Sequence, residues 1–525
     1  MILRILIVIL GLSYTAVDGV PNSTTPALLL SPYIKQQKLQ QARNDSLVTP
    51  SLFLNVTSYS GFLTVNETYN SNLFFWYFPV AEKPVNETPW IIWLQGGPGA
   101  SSLAGLFDEI GPFQYENGTL KPRASSWGNI YSLLFIDNPV GSGFSYTNSK
   151  DGFVKNVDTC ASHLYSAVQQ FLTIFPELRP APLYVAGESY AGRYVPAFGF
   201  KIHQEQPKGN NTVNFKGVMM GNPIIDRIDM ANLSSVYYHW GLIDSQGLLA
   251  TKPLQDQYFR AINENNVAKA YELRTKLLDL LDGITQQTLT YNILKGPGDL
   301  YGFETYLDQA DVKLALHVGS IQFTFSNTSV NDALMDDFLG PIRPKLEQLL
   351  EHYKVMVYCG QLDLTAPCEL GAAARRERWR WSGREDFLKA PRLPWMHNDT
   401  IAGHVKKGGG LTEVLVRGAG HLVPIDAPAA ARALLQHFIS DAPFPTPVGY
   451  KDKPEYTPEY IDAEQPTKKE DKTNTPLIAS VIVNVILIIC LIGGVFIYLR
   501  YKRRSEAFFY STVEDSISDG ILTMT

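Results

Sequence analysis

The sequence predicts an α/β domain on a mostly parallel central sheet, with a helical insertion as a cap and one C-terminal transmembrane helix. Three observations carry that expectation. Short apolar runs alternate with helix-length segments, a charged helical stretch interrupts the alternation, and a long apolar run near the end is followed by cationic residues.

In chain order, the opening "MILRILIVILGLSYTAVDG" has an early arginine, an apolar run and then small residues. That is the design of a secretory signal peptide over 1–18, with cleavage expected between Ala16 and Gly19. The lumenal or extracellular domain is expected over 19–440. Its strands are read at 74–80 (FFWYFPV), 89–95 (PWIIWLQ), 131–139 (YSLLFIDNP), 182–187 (PLYVAG), 215–223 (FKGVMMGNP) and 353–360 (YKVMVYCG). Near-continuous apolar runs suit strands covered on both faces. Helix-length segments such as 155–175 and 190–205 lie between them, the alternation expected of a parallel sheet. From about 245 to 305 the chain is charged, helical in period and poor in β-branched residues. It reads as a helical insertion over the sheet or as ordinary surface helices.

Residues 441–475 are rich in proline and charge and read as an extended stalk. The run 477–499 contains one strongly polar residue, Asn484, and precedes Arg500, Lys502, Arg503 and Arg504. Length and flanking charge give a transmembrane helix with a cytoplasmic tail over 500–525, a single-pass type I topology. In the tail, Tyr510–Val513 (YSTV) resembles a tyrosine-based sorting signal read by clathrin adaptors. The expected location is the secretory or endolysosomal pathway or the cell surface.

Composition narrows the function. Of 525 residues, 45% are hydrophobic and 18% charged, enough for a large core in one domain or two. A net charge of -6 gives no sign of the basic excess that nucleic-acid binders usually carry, which argues against nucleic acid as a partner. Four cysteines exclude a disulfide-dense scaffold. Cys359 and Cys368 are close enough in sequence to pair, Cys160 is left over, and Cys490 lies in the apolar run. Sequons at Asn22, Asn44, Asn55, Asn66, Asn86, Asn117, Asn210, Asn232, Asn327 and Asn398 all precede that run, as glycosylation would require.

The stretch "GESYAG" (187–192) sets Ser189 directly after an apolar strand and at the start of a helical segment. This is the nucleophile elbow of an α/β-hydrolase fold, with Ala191 in place of the second glycine. So relaxed a pattern arises by chance about once in a chain of this size. Ser102 in "ASSLA" matches it too, but lies several residues beyond its strand. A serine nucleophile requires a histidine base and an acid, following in that fold as serine, acid, histidine. Asp363 follows the strand "VMVYCG", and His421 lies in a glycine-rich turn after "VLV".

The motifs "WLQGGPGASSLAGLFDEIGP" (93–112), "IDNPVGSGFSY" (136–146), "GESYAGRYVP" (187–196), "GNPIID" (221–226), "GQLD" (360–363) and "GAGHLVPID" (418–426) occur in one order. Together they resemble the serine carboxypeptidase family over about residues 50–440. The vitellogenic-like branch, which also carries "WLQGGPG" and "GQLD", is the nearest resemblance. It implies Ser189 as nucleophile, His421 as general base and acid, and Asp363 as the residue orienting it. It also implies an oxyanion hole from the N–H groups of Gly97 and Tyr190, and no metal or cofactor. Gln95, Gly96, Glu188 and Glu109 are implied to bind the substrate's terminal carboxylate. Most members have asparagine where this chain has Gln95, which sets the amide one methylene further out. By residue type alone, Glu109 would equally suit a helix start and Gly96 a turn. The expected activity is acid-favouring release of C-terminal residues from peptides through an acyl-enzyme. Acyl transfer to another acceptor and a non-catalytic receptor on the same fold are the alternatives.

Overall fold

The computed structural model describes residues 25–209, 212–286, 290–295, 300–450 and 493–503. Among them the strands are β1 (Tyr59–Asn66), β2 (Ser71–Phe78), β3 (Trp90–Leu94), β4 (Phe113–Glu116), β5 (Thr119–Pro122), β6 (Ser132–Ile136), β7 (Leu183–Glu188), β8 (Phe215–Gly221), β9 (Lys354–Gly360), β10 (Arg392–His397), β11 (Thr400–Gly408) and β12 (Leu411–Val416). Ten of these form one sheet in the order β1-β2-β6-β3-β7-β8-β9-β12-β11-β10, and β4 and β5 make a separate hairpin. The pairs from β6 through β12 are parallel, whereas β1 and β2 at one edge and β10 and β11 at the other add antiparallel.

Successive side chains of a strand point to opposite faces, so a strand covered on both must be apolar throughout. In β3, Trp90, Ile92 and Leu94 enter one core with helices Val157–Ile174 and Ala191–Glu205. Ile91 and Trp93 enter the other with the helix Pro428–Ser440. β9 repeats the division, Val355 and Val357 against Met356 and Tyr358. The expected α/β-hydrolase-like arrangement with a mostly parallel sheet is therefore present.

The insertion is helical, Ser245–Asn263 packing on Val267–Thr285. Leu273, Leu277 and Leu281 bury against Tyr237, Tyr258 and Phe338 in a third, smaller core. A buried arginine ties segment 337–340 to the helix that opens the elbow. Arg193 donates to the carbonyls of Ile225 (3.1 Å), Gly340 (2.8 Å) and Asp337 (2.9 Å) and to the Asp337 carboxylate (3.0 Å).

The expected transmembrane helix requires correction. No helix among the described residues is long and apolar enough to cross a membrane. Of the run 477–499, residues 477–492 lie outside the described residues, and the described helix 493–503 carries Arg500, Lys502 and Arg503. The chain divides into two units, Met1–Asp452 and Lys453–Thr525. The expected signal peptide and the Tyr510–Val513 motif also fall outside the described residues. The first part of the expected stalk packs on the domain: Met396 donates its N–H to the Pro445 carbonyl at 2.7 Å, and the Phe444 ring meets Trp395 edge-on at 5.6 Å.

Asn44, Asn55, Asn86, Asn117, Asn232 and Asn398 are exposed, as glycan acceptors must be, and Asn66 is half-buried. Asn327 differs, because its amide nitrogen, the atom a sugar would occupy, donates to the Gly141 carbonyl at 2.8 Å. Asn22 and Asn210 lie outside the described residues.

Replacing Arg193 by methionine strands three buried carbonyls and the Asp337 carboxylate. The expected cost is about 3–5 kcal/mol, the range for breaking a buried ion pair. Urea unfolding of the two proteins measures it, and a change below about 1 kcal/mol would contradict the assignment of this strut.

Candidate active site

The predicted triad residues and Gln95 follow the carboxyl ends of parallel strands, where α/β sheets place their ligands. Gln95 follows β3, Ser189 follows β7, Asp363 lies just past β9 and His421 just past β12. Ser189 has φ +59°, the left-handed region that costs a side-chain-bearing residue free energy and is common at functional turns. The turn is held by the Ser189 N–H on the Gly221 carbonyl and by the N–H groups of Gly192 and Ile224 on the Ser189 carbonyl, all at 2.9 Å.

Small residues around the elbow answer to measurable contacts. A Cβ on Gly187 would sit 2.3 Å from the Leu94 carbonyl and 2.7 Å from the Ala191 Cβ. Ala191 is tolerated at the position usually occupied by glycine because Gly187 makes the room. A Cβ on Gly96 would lie 2.6 Å from the Tyr190 nitrogen and 2.8 Å from the Glu188 carbonyl. Ser102 is structural: its hydroxyl is buried, donating to the Ile136 carbonyl at 2.6 Å and accepting from the Gln95 N–H at 3.1 Å.

His421 Nδ1 lies 2.8 Å from Asp363 Oδ2, with both side chains buried. The other Asp363 oxygen accepts from the N–H groups of Thr365 (2.7 Å) and Ala366 (3.2 Å). Asp363 Oδ2 also accepts from Asn222 Nδ2 at 2.6 Å, and Asn222 Oδ1 accepts the Gly360 N–H at 3.1 Å. The disulfide Cys359–Cys368 closes the loop carrying Asp363, with the Cα atoms 5.8 Å apart. Tyr291 packs against the His421 ring in a tilted arrangement, centroids 4.8 Å apart, and lines the same cavity as Ser189. That cavity holds about 250 Å³ and is bounded near the elbow by Gly97, Pro98 and Tyr190.

Beside the elbow is a buried acid pair. Gln95 Nε2 donates to Glu188 Oε1 (2.7 Å) and Glu109 Oε1 (3.2 Å), while Gln95 Oε1 accepts from Trp93 Nε1 (2.8 Å). Glu109 rides on the π-helical turn Gly105–Ile110, a form often found at functional sites. Burial holds the Glu188 carboxyl well above the ordinary value, and the Glu109 charge raises it further. Burial also raises Glu109, to about 7. The second oxygen of each carboxyl is buried without a donor among the described residues. One proton shared between the carboxyls supplies that donor and removes one of two like charges.

Asn222 and Tyr291 join the site only in the fold. Asn222 lies inside "GNPIID", and its φ of +40°, which asparagine tolerates better than most residues, marks a constrained turn. Tyr291 had no motif around it.

Comparison with known proteins follows the geometry. A family model described as serine carboxypeptidase matches residues 49–441. The venom serine carboxypeptidase of Apis mellifera is 36% identical over 431 residues, covering 79% of this chain and 91% of that protein. The probable serine carboxypeptidase CPVL of Homo sapiens is 38% identical over 431 residues, covering 78% and 89%. The vitellogenic carboxypeptidase of Aedes aegypti is 36% identical over 436 residues, covering 80% and 91%. Among solved structures, Kex1(Δ)p, a prohormone-processing carboxypeptidase from Saccharomyces cerevisiae, aligns with a TM-score of 0.69 at 25% identity, covering 76% of this chain and 96% of that one.

The acid pair makes stability depend on pH. Glu109 is raised from 4.5 to about 7, so across that interval the folded state keeps a proton that the unfolded chain releases, and stability falls as pH rises. Buried Asp108 and Asp137, each raised to about 6, add the same sign. Calorimetry should show the melting temperature dropping by a few degrees from the lower to the upper end of that window, and less in Glu109→Gln. A wild-type melting temperature that rises over the window would refute a shared proton.

Proposed function

The chain belongs to the serine carboxypeptidase family and is a serine-type carboxypeptidase, and we propose that Ser189, His421 and Asp363 form its catalytic triad while Glu188 and Glu109 read the free C-terminus. In this reading the Ser189 hydroxyl oxygen attacks the carbonyl of the last peptide bond as His421 Nε2 takes the proton. Asp363 holds the Nδ1 proton of the ring and balances the imidazolium charge. The 2.8 Å contact between His421 and Asp363, with both groups buried, supports that role. The negative oxygen of the tetrahedral intermediate is stabilised by the N–H groups of Gly97 and Tyr190. Neither donates to an acceptor among the described residues, so both are free to bind it. The C–N bond then breaks, His421 returns its proton to the leaving amine, and an ester on Ser189 remains. Water activated by His421 hydrolyses that ester. Atoms and charges balance with the chain's own groups and water.

The observation that carries the exopeptidase reading is Glu188, which adjoins the nucleophile and shares Gln95 Nε2 with Glu109. An ionised carboxylate there would repel a peptide's terminal carboxylate. A protonated one donates a hydrogen bond to it, and the Gln95 amide and the Gly96 backbone border the same place. Acid-favouring binding follows. As pH rises through the raised pKa values, the pair loses its proton and affinity falls. The Cys359–Cys368 disulfide and the exposed sequon asparagines support a lumenal or extracellular setting.

Ser189→Ala should lower kcat for C-terminal trimming by at least about 10³-fold while the melting temperature holds, as loss of a triad nucleophile does. Trimming at the wild-type rate would remove Ser189 from the mechanism. Glu188→Gln retains a donor that does not titrate, so the rise of KM between mildly acid and neutral pH should flatten. An unchanged KM profile in that variant would exclude Glu188 as the titrating group.

A further inference from the structure

Two arginines stand in the cavity beside Ser189 without a counterion. Arg227 comes from the turn Arg227–Met230 after β8 and Arg274 from the insertion helix Val267–Thr285, and both line the cavity with Ser189 and Tyr190. Arg193, Arg375 and Arg378, by contrast, are matched, with Asp337 at 3.0 Å, Glu413 at 2.6 Å and Asp229 at 2.9 Å. Neither Arg227 nor Arg274 has an acidic partner among the described residues. The Arg227 guanidinium lies 4.2 Å over the Phe338 ring, and its Nε is buried with no acceptor. Burial and the Arg274 charge hold the Arg227 pKa down.

We propose that Arg227 and Arg274 form an anion-reading subsite on the acyl side of Ser189, which favours peptides whose penultimate residue is aspartate or glutamate. The inference rests on the reading of Ser189 as nucleophile and of Glu188 and Glu109 as the group that binds the terminal carboxylate. Gln95, Glu109 and Glu188 do not line this cavity. The terminal residue is therefore held elsewhere, and the cavity receives the side chain of the residue that becomes the acyl group. Phe338, Leu334 and Met335 give it apolar walls, against which the methylenes of a glutamate can pack, while the two guanidiniums meet its carboxylate. Arginine stays cationic across the working pH range and can bind a carboxylate through two parallel hydrogen bonds. The nearest acid of segment 337–340 is not available as a counterion, since Asp337 is held by Arg193.

The test uses the purified protein and blocked dipeptides with a fixed C-terminal leucine and glutamate, glutamine or lysine before it. It is run above the usual glutamate pKa of about 4.3, so that the side chain is ionised. The expected kcat/KM for glutamate exceeds that for glutamine by about 10–100-fold, with lysine poorest, as a charge-assisted pair in a partly closed site implies. Arg274→Gln should shrink the glutamate-to-glutamine ratio by about 10-fold, and Arg274→Glu should place lysine above glutamate. Arg274 is half-buried on a helix surface, so these variants are suited to fold where Arg227 variants are at more risk. A wild-type ratio near one, or a ratio that neither variant moves, overturns the subsite alone. Failure of every peptide to be trimmed, together with no labelling of Ser189 by a fluorophosphonate, overturns the nucleophile reading beneath it.

Discussion

The close approach of two loops, one after β3 and one after β7, is the constraint from which the site follows. The Gly96 backbone is pressed against the elbow so tightly that a methyl group there would overlap the Tyr190 nitrogen, the Glu188 carbonyl and the Ser189 Cβ. Gly187 meets the Leu94 carbonyl from the other side in the same way. The parallel register of β3 with β7, which sets Leu94 opposite Gly187, brings the two loops together. Once they touch, the Gly97 and Tyr190 N–H groups share one neighbourhood, Ser189 is driven to positive φ, and Gln95 reaches Glu188.

The same approach excludes water from the acid pair and so determines its chemistry. A solvated glutamate beside a nucleophile would be an anion at neutral pH. Burial reverses the balance, since placing two carboxylates together without solvent costs more than keeping a proton on one of them. Gln95 has one amide nitrogen for two carboxyl oxygens, so its donation cannot compensate two full charges. The extra methylene of glutamine relative to asparagine has a structural counterpart here: its amide spans the buried distance to both acids while its carbonyl accepts the Trp93 indole.

Much of this was legible in the sequence, and the reasons for the gaps are physical. β3, β6, β7, β8 and β9 stood out because both faces are buried, which leaves uninterrupted apolar runs. The edge strands β10 and β11 did not, because their outer faces carry solvent-exposed Arg392, Lys407 and Thr400 and their pattern resembles a loop. The elbow was weak as a motif, since only the contact at Gly187 explains why alanine replaces glycine at 191. The apolar run at 477–499 was legible as composition, but no helix among the described residues is long and apolar enough to cross a membrane. Arg227 and Arg274 were invisible because they are far apart in sequence and meet only when the insertion folds over the elbow.

Those arginines sharpen the electrostatic logic of the site. Among the described residues the acids around the elbow are already engaged: Asp363 by His421 and Asn222, Asp337 by Arg193, Glu109 and Glu188 by Gln95. Were Glu188 an ordinary ionised carboxylate at the same elbow, it would add a second negative charge to a buried pair, where burial makes that charge costly. In the proposed reading, a protonated Glu188 donates to the terminal carboxylate, while Arg227 and Arg274 stay uncompensated cations in the cavity beside Ser189. The two ends of the scissile bond are then read by opposite means, a carboxyl kept neutral by burial on one side and paired guanidiniums on the other.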